Sequence, residues 1–171
     1  MKKAWLCLSL VPALAAVSVA QEVKPVGFSL KFGQFVPQNN RAEQEGKKWT
    51  LIGIDTKIKD IKYGAKGNGR YLTLSADYYG KGDFSSIPVM VNYVTRSNEW
   101  YYLFGVGAAY VTDVFEIGPD RFEEESFEVA FTAGIGYDFQ QWKMPLFGEV
   151  RFMGNGNNRL NGYVISVGIR L

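Results

Sequence analysis

The stretch "EVAFTAGIGYDF", residues 128–139, decides the fold of this chain because it alternates between two kinds of side chain. One set is polar or small and consists of Glu128, Ala130, Thr132, Gly134, Gly136 and Asp138. The other set is mostly apolar and consists of Val129, Phe131, Ala133, Ile135, Tyr137 and Phe139. Because successive residues of a strand point to opposite faces, the pattern predicts a strand. It leaves open which face lies inside the protein.

The same alternation recurs along the chain between turn-like segments. It predicts eight strands at 26–36, 49–59, 70–79, 86–96, 100–112, 126–139, 143–153 and 161–171. The second strand is irregular, since Ile58, Ile61 and Tyr63 leave its phase. Many alternating strands indicate a sandwich or a barrel, and these strands are long enough for tilted strands that cross a membrane. The pattern therefore favours an all-β fold, an eight-stranded antiparallel up-and-down transmembrane barrel.

The connections between the strands alternate in length. Those after strands four and six are short, "SNE" and "QQW", whereas those after strands one, three, five and seven are mostly longer and more polar. Short turns on one rim and long loops on the other are typical of outer-membrane barrels. The connection after strand two, "DIKYGAKGNG", is an exception and predicts a longer turn on the short-turn side.

The two faces of the eight strands differ in charge. One face is apolar and without charge along almost its whole length, and the other collects the glycines and both signs of charge. An eight-stranded barrel has little interior space, so the glycines fit inside, where paired charges are tolerable. We therefore predict that the apolar face contacts lipid. The alternative is a secreted soluble barrel of the lipocalin kind, with the apolar face inside.

The N-terminus predicts export. Lys2 and Lys3, an apolar run and a small-residue site ending at Ala20 are typical of a secretory signal peptide. We expect 1–20 to be cleaved and 21–171 to form the barrel domain. Cys7, the one cysteine of the chain, lies in the predicted leader. Without the two lysines, 17 basic residues face 17 acidic ones, so composition gives no reason to expect nucleic-acid binding.

Four stretches resemble the small eight-stranded outer-membrane proteins of the OmpX/OmpA barrel type. They are "LFGVGAAYV" (103–111), "FTAGIGYDF" (131–139), "PLFGEVRF" (145–152) and "YVISVGIRL" (163–171). The resemblance implies the outer membrane as the location, outer-membrane lipid as a partner and the barrel assembly machinery as a partner during biogenesis.

The charged residues of the inner face invite an acid–base interpretation, but an ion-pair network that fills the barrel is the favoured one. The network is predicted to contain Lys31, Asp55, Lys57, Asp77, Glu128, Asp138, Glu149, Arg151 and Arg170. Within it, Arg151 and Arg170 are expected to be held by Glu149 and by Asp138 or Glu128. The chain has no histidine, which removes Ser-His chemistry. We expect no catalytic residue, no cofactor and no metal site, and we interpret the acidic run 123–125 as a solvated loop tip rather than a calcium site.

Lipid-facing aromatic residues are predicted to form a girdle at each rim. The outer girdle is expected to contain Tyr78, Tyr110, Phe127, Phe152 and Tyr163. The periplasmic girdle is expected to contain Phe28, Tyr93, Tyr102, Tyr137, Phe139 and Trp142. Lys47 and Lys48 lie where the long-loop rim would meet lipid phosphates.

These observations favour a non-enzymatic outer-membrane protein, monomeric, with a structural or surface-interaction role through its extracellular loops. The sequence does not identify the extracellular protein or ligand that the loops would bind. A narrow channel or carrier for small apolar molecules is the second hypothesis, and the soluble lipocalin-like binding barrel is the third.

Overall fold

The computed structural model describes residues 27–63, 68–117, 120–139, 145–156 and 160–171. The predicted leader, 1–20, lies outside these residues. Eight antiparallel strands and one short helix follow in the order β1 (Phe28–Pro37), α1 (Asn40–Glu45), β2 (Trp49–Tyr63), β3 (Gly69–Lys81), β4 (Phe84–Ser97), β5 (Trp100–Ile117), β6 (Asp120–Phe139), β7 (Leu146–Asn155) and β8 (Gly162–Arg170). Each strand pairs with the next along the chain, and β1 pairs with β8, so the barrel is closed. The predicted up-and-down barrel is confirmed.

The two ends of the barrel are different. The "terminus end" contains residues 27 and 171, together with the β2–β3, β4–β5 and β6–β7 connections. There the N–H of Phe28 donates to the carbonyl of Leu171, and the N–H of Leu171 donates back to Phe28. The "loop end" contains α1 and the other three connections. Among the described residues, no helix has the length and apolar character needed to cross a bilayer.

Two predicted long loops are shorter than expected. The connection after β3 is a tight turn at Gly82 and Asp83, and the positive φ of 58° at Gly82 explains the glycine there. The predicted loop 113–125 is mostly strand, because β5 and β6 stay paired as far as Ile117 and Asp120. The first connection contains α1, which begins after Asn39, whose side chain accepts a hydrogen bond from the N–H of Arg41.

The irregular phase of the second predicted strand has a structural cause. The register between β2 and β3 shifts between Lys57 and Lys59 and again between Asp60 and Lys62. Each shift leaves one residue of β2 without an opposite residue on β3, first Ile58 and then Ile61. Two β-bulges therefore interrupt the alternation.

The outward face is the apolar one. Phe32, Ile52 and Val167, which are aligned on β1, β2 and β8, are more than half exposed. Lys31 and Arg151 point inward and are almost fully buried. The structure therefore supports the inside-out interpretation and contradicts the soluble lipocalin-like alternative, whose apolar face would be inside.

Candidate functional site: the closed interior and the two barrel ends

The middle of the barrel interior contains a network of ion pairs centred on Lys31 and Arg151. Lys31 Nζ lies 3.0 Å from Asp55 Oδ2 and 3.1 Å from Asp77 Oδ1. Arg151 Nη2 lies 3.1 Å from the other oxygen of Asp77, and its Nε lies 2.8 Å from Glu149 Oε1. Asp77 thus bridges the two cations, and every charge of the network has a partner of opposite sign, which is the condition under which buried ions are tolerated.

Glycines on intervening strands make these contacts possible. Gly53 of β2 is aligned with both Lys31 of β1 and Asp77 of β3, and a Cβ at Gly53 would collide with Asp77 Oδ1. Gly136 of β6 is likewise aligned with Tyr101 of β5 and Glu149 of β7. The Tyr101 hydroxyl donates to Glu149 Oε2 at 2.9 Å across this glycine. Interior glycines therefore leave the space in which side chains of non-adjacent strands meet.

A second ion-pair group crosses the terminus end of the barrel. Asp138 of β6 lies 2.7 Å from Nη2 of Arg96, on β4, and 2.9 Å from Nη2 of Arg170, on β8. β4 and β8 stand on opposite sides of the barrel. The Arg170 guanidinium also lies over the rings of Tyr101 and Phe147, at 5.2 and 4.5 Å from their centroids. We call Arg96, Asp138 and Arg170 the bar, because together they cross the terminus end of the barrel.

The interior of the loop end is filled by apolar side chains. Phe35 stacks on Tyr79 at 4.1 Å between ring centroids, and Trp49 packs against Phe35 and Phe84. Ala42 of α1 is fully buried against this group. We call the group the plug, and its members are Phe35, Ala42, Trp49, Leu51, Tyr79, Phe84, Met90, Ala109, Val111, Ala130, Met153, Leu160 and Val164.

A cavity of about 160 Å³ lies between the middle network and the terminus end. Polar and charged side chains line much of it, among them Asp55, Thr73, Asn92, Glu149 and Arg170. The cavity is much smaller than a drug-sized ligand site, for which a few hundred Å³ is typical.

The structure divides the nine predicted network residues. Five lie in the middle network, Asp138 and Arg170 lie in the second group at the terminus end, and Lys57 and Glu128 lie elsewhere. Arg151 is held by Glu149 and Arg170 by Asp138, as expected, and Arg151 has a further partner, Asp77, that was not expected. Glu128 lies nearer the loop end, half-buried, and accepts a hydrogen bond from the Ser126 hydroxyl. Lys57 pairs with Asp60 and lies over the Tyr71 ring at 5.3 Å.

Arg96 and the plug are not among the interior residues predicted from the sequence. Arg96 occurs four residues after the inward-facing Asn92, so the strand phase alone would have placed it inside. The plug residues Phe35, Leu51 and Tyr79 also keep the inward phase of their strands. They were missed because large apolar side chains were assigned to the lipid face.

The predicted girdle residues that the structure describes point away from the interior. Near the loop end, Tyr110 contacts Phe127 and Phe152 contacts Tyr163, with ring centroids 5.3 and 5.6 Å apart. Near the terminus end, Tyr137 contacts both Phe139 and Trp100. Trp142 lies outside the described residues.

The β5–β6 hairpin extends beyond the rest of the barrel at the loop end. β6 begins at Asp120, but its pairing with β7 begins only at Ala130. β5 continues to Ile117, but its pairing with β4 ends at Asp113. We call the described residues 114–117 and 120–129 the outer hairpin. Phe127 and Val129 on it are 81% and 73% exposed.

The described residues contain no group of three or more His, Cys, Asp or Glu that could hold a metal ion.

Solved structures share this fold at low sequence identity. Ail, the attachment invasion locus protein of Yersinia pestis, is similar with a TM-score of 0.56 and 12% identity, over 86% of this chain and 100% of that one. The N-terminal β-barrel domain of Pseudomonas aeruginosa OprF is similar with a TM-score of 0.52 and 11% identity, over 85% and 97% of the two chains. Another Ail structure, in complex with the heparin analogue sucrose octasulfate, gives a TM-score of 0.53 and 11% identity, over 86% and 100%.

These similarities show the fold alone, and at that level the expected resemblance to small eight-stranded outer-membrane barrels is confirmed. No protein-family model and no curated protein matches the chain.

Proposed function

We propose that this chain is a non-enzymatic protein of the outer membrane that presents the outer hairpin to the outside as an interaction surface. The observation that carries the proposal is the combination of a filled interior with an extended hairpin at the loop end. The outward apolar belt supports membrane insertion, because apolar side chains can face lipid. In a closed barrel each lipid-facing backbone group also forms a hydrogen bond with a neighbouring strand, as the hydrocarbon region requires.

The interior argues against a channel. A molecule that entered from the loop end would meet the plug, and beyond it the Lys31–Asp77–Arg151 network. At the other end it would meet the bar formed by Arg96, Asp138 and Arg170. An apolar solute would have to displace buried paired charges, which is costly.

The chemistry of the outer hairpin favours a basic partner. Glu123, Glu124 and Glu125 are all exposed there, close to the exposed ring of Phe122. An acidic surface attracts cations and repels polyanions. The binding of a heparin analogue by Ail is therefore a poor guide to the partner of this chain.

The membrane role is tested by fractionation and by conductance. The folded protein should sediment with the outer membrane and migrate differently on a gel before and after boiling. In a planar bilayer it should produce no single-channel steps. Steady conductance steps from the purified wild-type protein would contradict the closed-interior proposal.

The interaction role is tested with two defined probes, polylysine and heparin, on cells that display the protein. Wild-type cells should bind polylysine and not heparin. The variant Glu123→Gln with Glu124→Gln should bind several-fold less polylysine, because two hairpin charges are lost. The matched control is Glu43→Gln with Glu45→Gln, in α1 at the same end of the barrel. Equal loss in both variants would contradict a role for the hairpin.

A further inference from the structure

The β2–β3 hairpin at the terminus end has charges that the proposed surface role does not use. Its segment from 57 to 70 contains Lys57, Lys59, Lys62, Lys66 and Arg70 but one acid, Asp60. The hairpin also continues beyond the β1–β2 pairing, which ends at Phe28 and Thr56. It therefore places a basic segment at the edge of the barrel wall.

Because of the two bulges, these charged side chains lie on different sides of the hairpin. Lys57 is aligned with the inward-facing Thr73, and Asp60 with Tyr71, so the Lys57–Asp60 ion pair lies on the inner side. Lys59, by contrast, is aligned with the outward-facing Leu72.

The same alignment places Lys62 opposite Arg70. Because side chains alternate along a strand, Arg70 lies on the same outer side as Leu72, and Lys62 lies there beside it. Lys59, Lys62 and Arg70 are all exposed. The one acid of the hairpin is thus held on the inner side, and three cations share the outer side.

This arrangement is unfavourable unless an anion lies nearby. Like charges directly opposite each other on paired strands destabilise a sheet, and Lys62 and Arg70 occupy such positions. Leu72 and Leu74 continue the outward face directly above them, and Tyr93, aligned with Leu72, lies on the next strand. The cations therefore lie at the terminus-end edge of the apolar belt.

We propose that Lys59, Lys62 and Arg70 form a binding surface for the headgroups of anionic phospholipids in the leaflet at the terminus end. Clusters of basic residues directly beside a membrane-embedded segment attract anionic lipid. The proposal rests on the membrane location proposed above. The ligand chemistry is a phosphate monoanion carried by a lipid, whose acyl chains lie along Leu72 and Leu74.

The test is native mass spectrometry of the purified protein in a zwitterionic detergent, with phosphatidylglycerol and phosphatidylcholine added at equal concentrations. Wild-type protein should retain phosphatidylglycerol in preference. The variant Lys59→Gln with Lys62→Gln should weaken this retention roughly tenfold. The control variant Arg41→Gln with Lys81→Gln, which removes the same charge from two exposed residues at the loop end, should keep it.

Three results would overturn the proposal: no preference in the wild-type protein, equal loss in the two variants, or release of the lipid by millimolar inorganic phosphate. The last result would mean a site for free anions. The three proteins are first shown to be folded by their heat-dependent gel migration. Failure to fold in membranes or micelles would contradict the proposed function itself, whereas a folded barrel without lipid preference would contradict this inference alone.

Discussion

Lys31 and Asp77 form an ion pair of 3.1 Å although β2 separates their strands, and the residue of β2 between them is Gly53. We expect Gly53→Ala to destabilise the barrel by about 1–3 kcal/mol, the usual cost of overpacking. The added methyl would collide with Asp77 Oδ1. The measurement is urea-induced unfolding in lipid vesicles.

The matched control is Gly148→Ala on the outward face. A Cβ there would meet the Phe139 ring at 3.5 Å, an ordinary contact, and its effect on the free energy of unfolding should be small. If both glycine variants unfolded at the same urea concentration as the wild type, the spacing role of Gly53 would be wrong.

Arg151→Leu should be among the most destabilising single changes in the interior. It would leave Glu149 without its cation and Asp77 with Lys31 alone, and an uncompensated buried charge costs on the order of 3–5 kcal/mol. Lys47→Leu, in an exposed segment, should change the free energy of unfolding little. Urea unfolding of the two variants side by side makes the comparison.

Glu149 and Glu128, which the sequence placed in one network, have different surroundings in the structure. Glu149→Gln should destabilise the barrel more than Glu128→Gln, because Glu149 contacts both Arg151 and Tyr101. Glu128 is half-buried near the loop end, where the Ser126 hydroxyl donates to it. A larger unfolding effect for Glu128→Gln would contradict this distinction between the two acids.

The period-two alternation predicted the barrel and most of its interior charges because each strand keeps one phase along most of its length. Alternation assigns a face, but it does not say which inward residues meet across the lumen. The contact between Asp77 of β3 and Arg151 of β7 depends on the stagger of strands that are not neighbours. The length of the outer hairpin was missed because the polar residues 120–125 have the composition of a loop although they pair with β5.

Trypsin added to intact cells tests which end faces outward. We expect cleavage after the exposed Lys47 or Lys48 at the loop end. Lys59 and Lys62, which are also exposed but lie at the terminus end, should become accessible only after the outer membrane is permeabilised. Peptide mapping by mass spectrometry identifies the sites. Cleavage in the reverse order would invert the proposed orientation.

Val167→Arg tests which face of the barrel contacts lipid. Val167 is 62% exposed and aligned with Phe32 of β1 and Gly148 of β7, in the middle of the apolar belt. A charge at mid-membrane costs roughly 2–4 kcal/mol, so the variant should fold less stably in vesicles, whereas Val167→Leu should be tolerated.

Arg170→Leu should also destabilise the barrel, since it removes one of the two cations that hold Asp138. In a soluble barrel with the apolar face inside, Arg170 would be exposed and Arg170→Leu would change the free energy of unfolding little, whereas Val167→Arg would place a charge in the core. Urea unfolding of both variants in vesicles, with sedimentation in buffer without lipid, therefore separates the two arrangements.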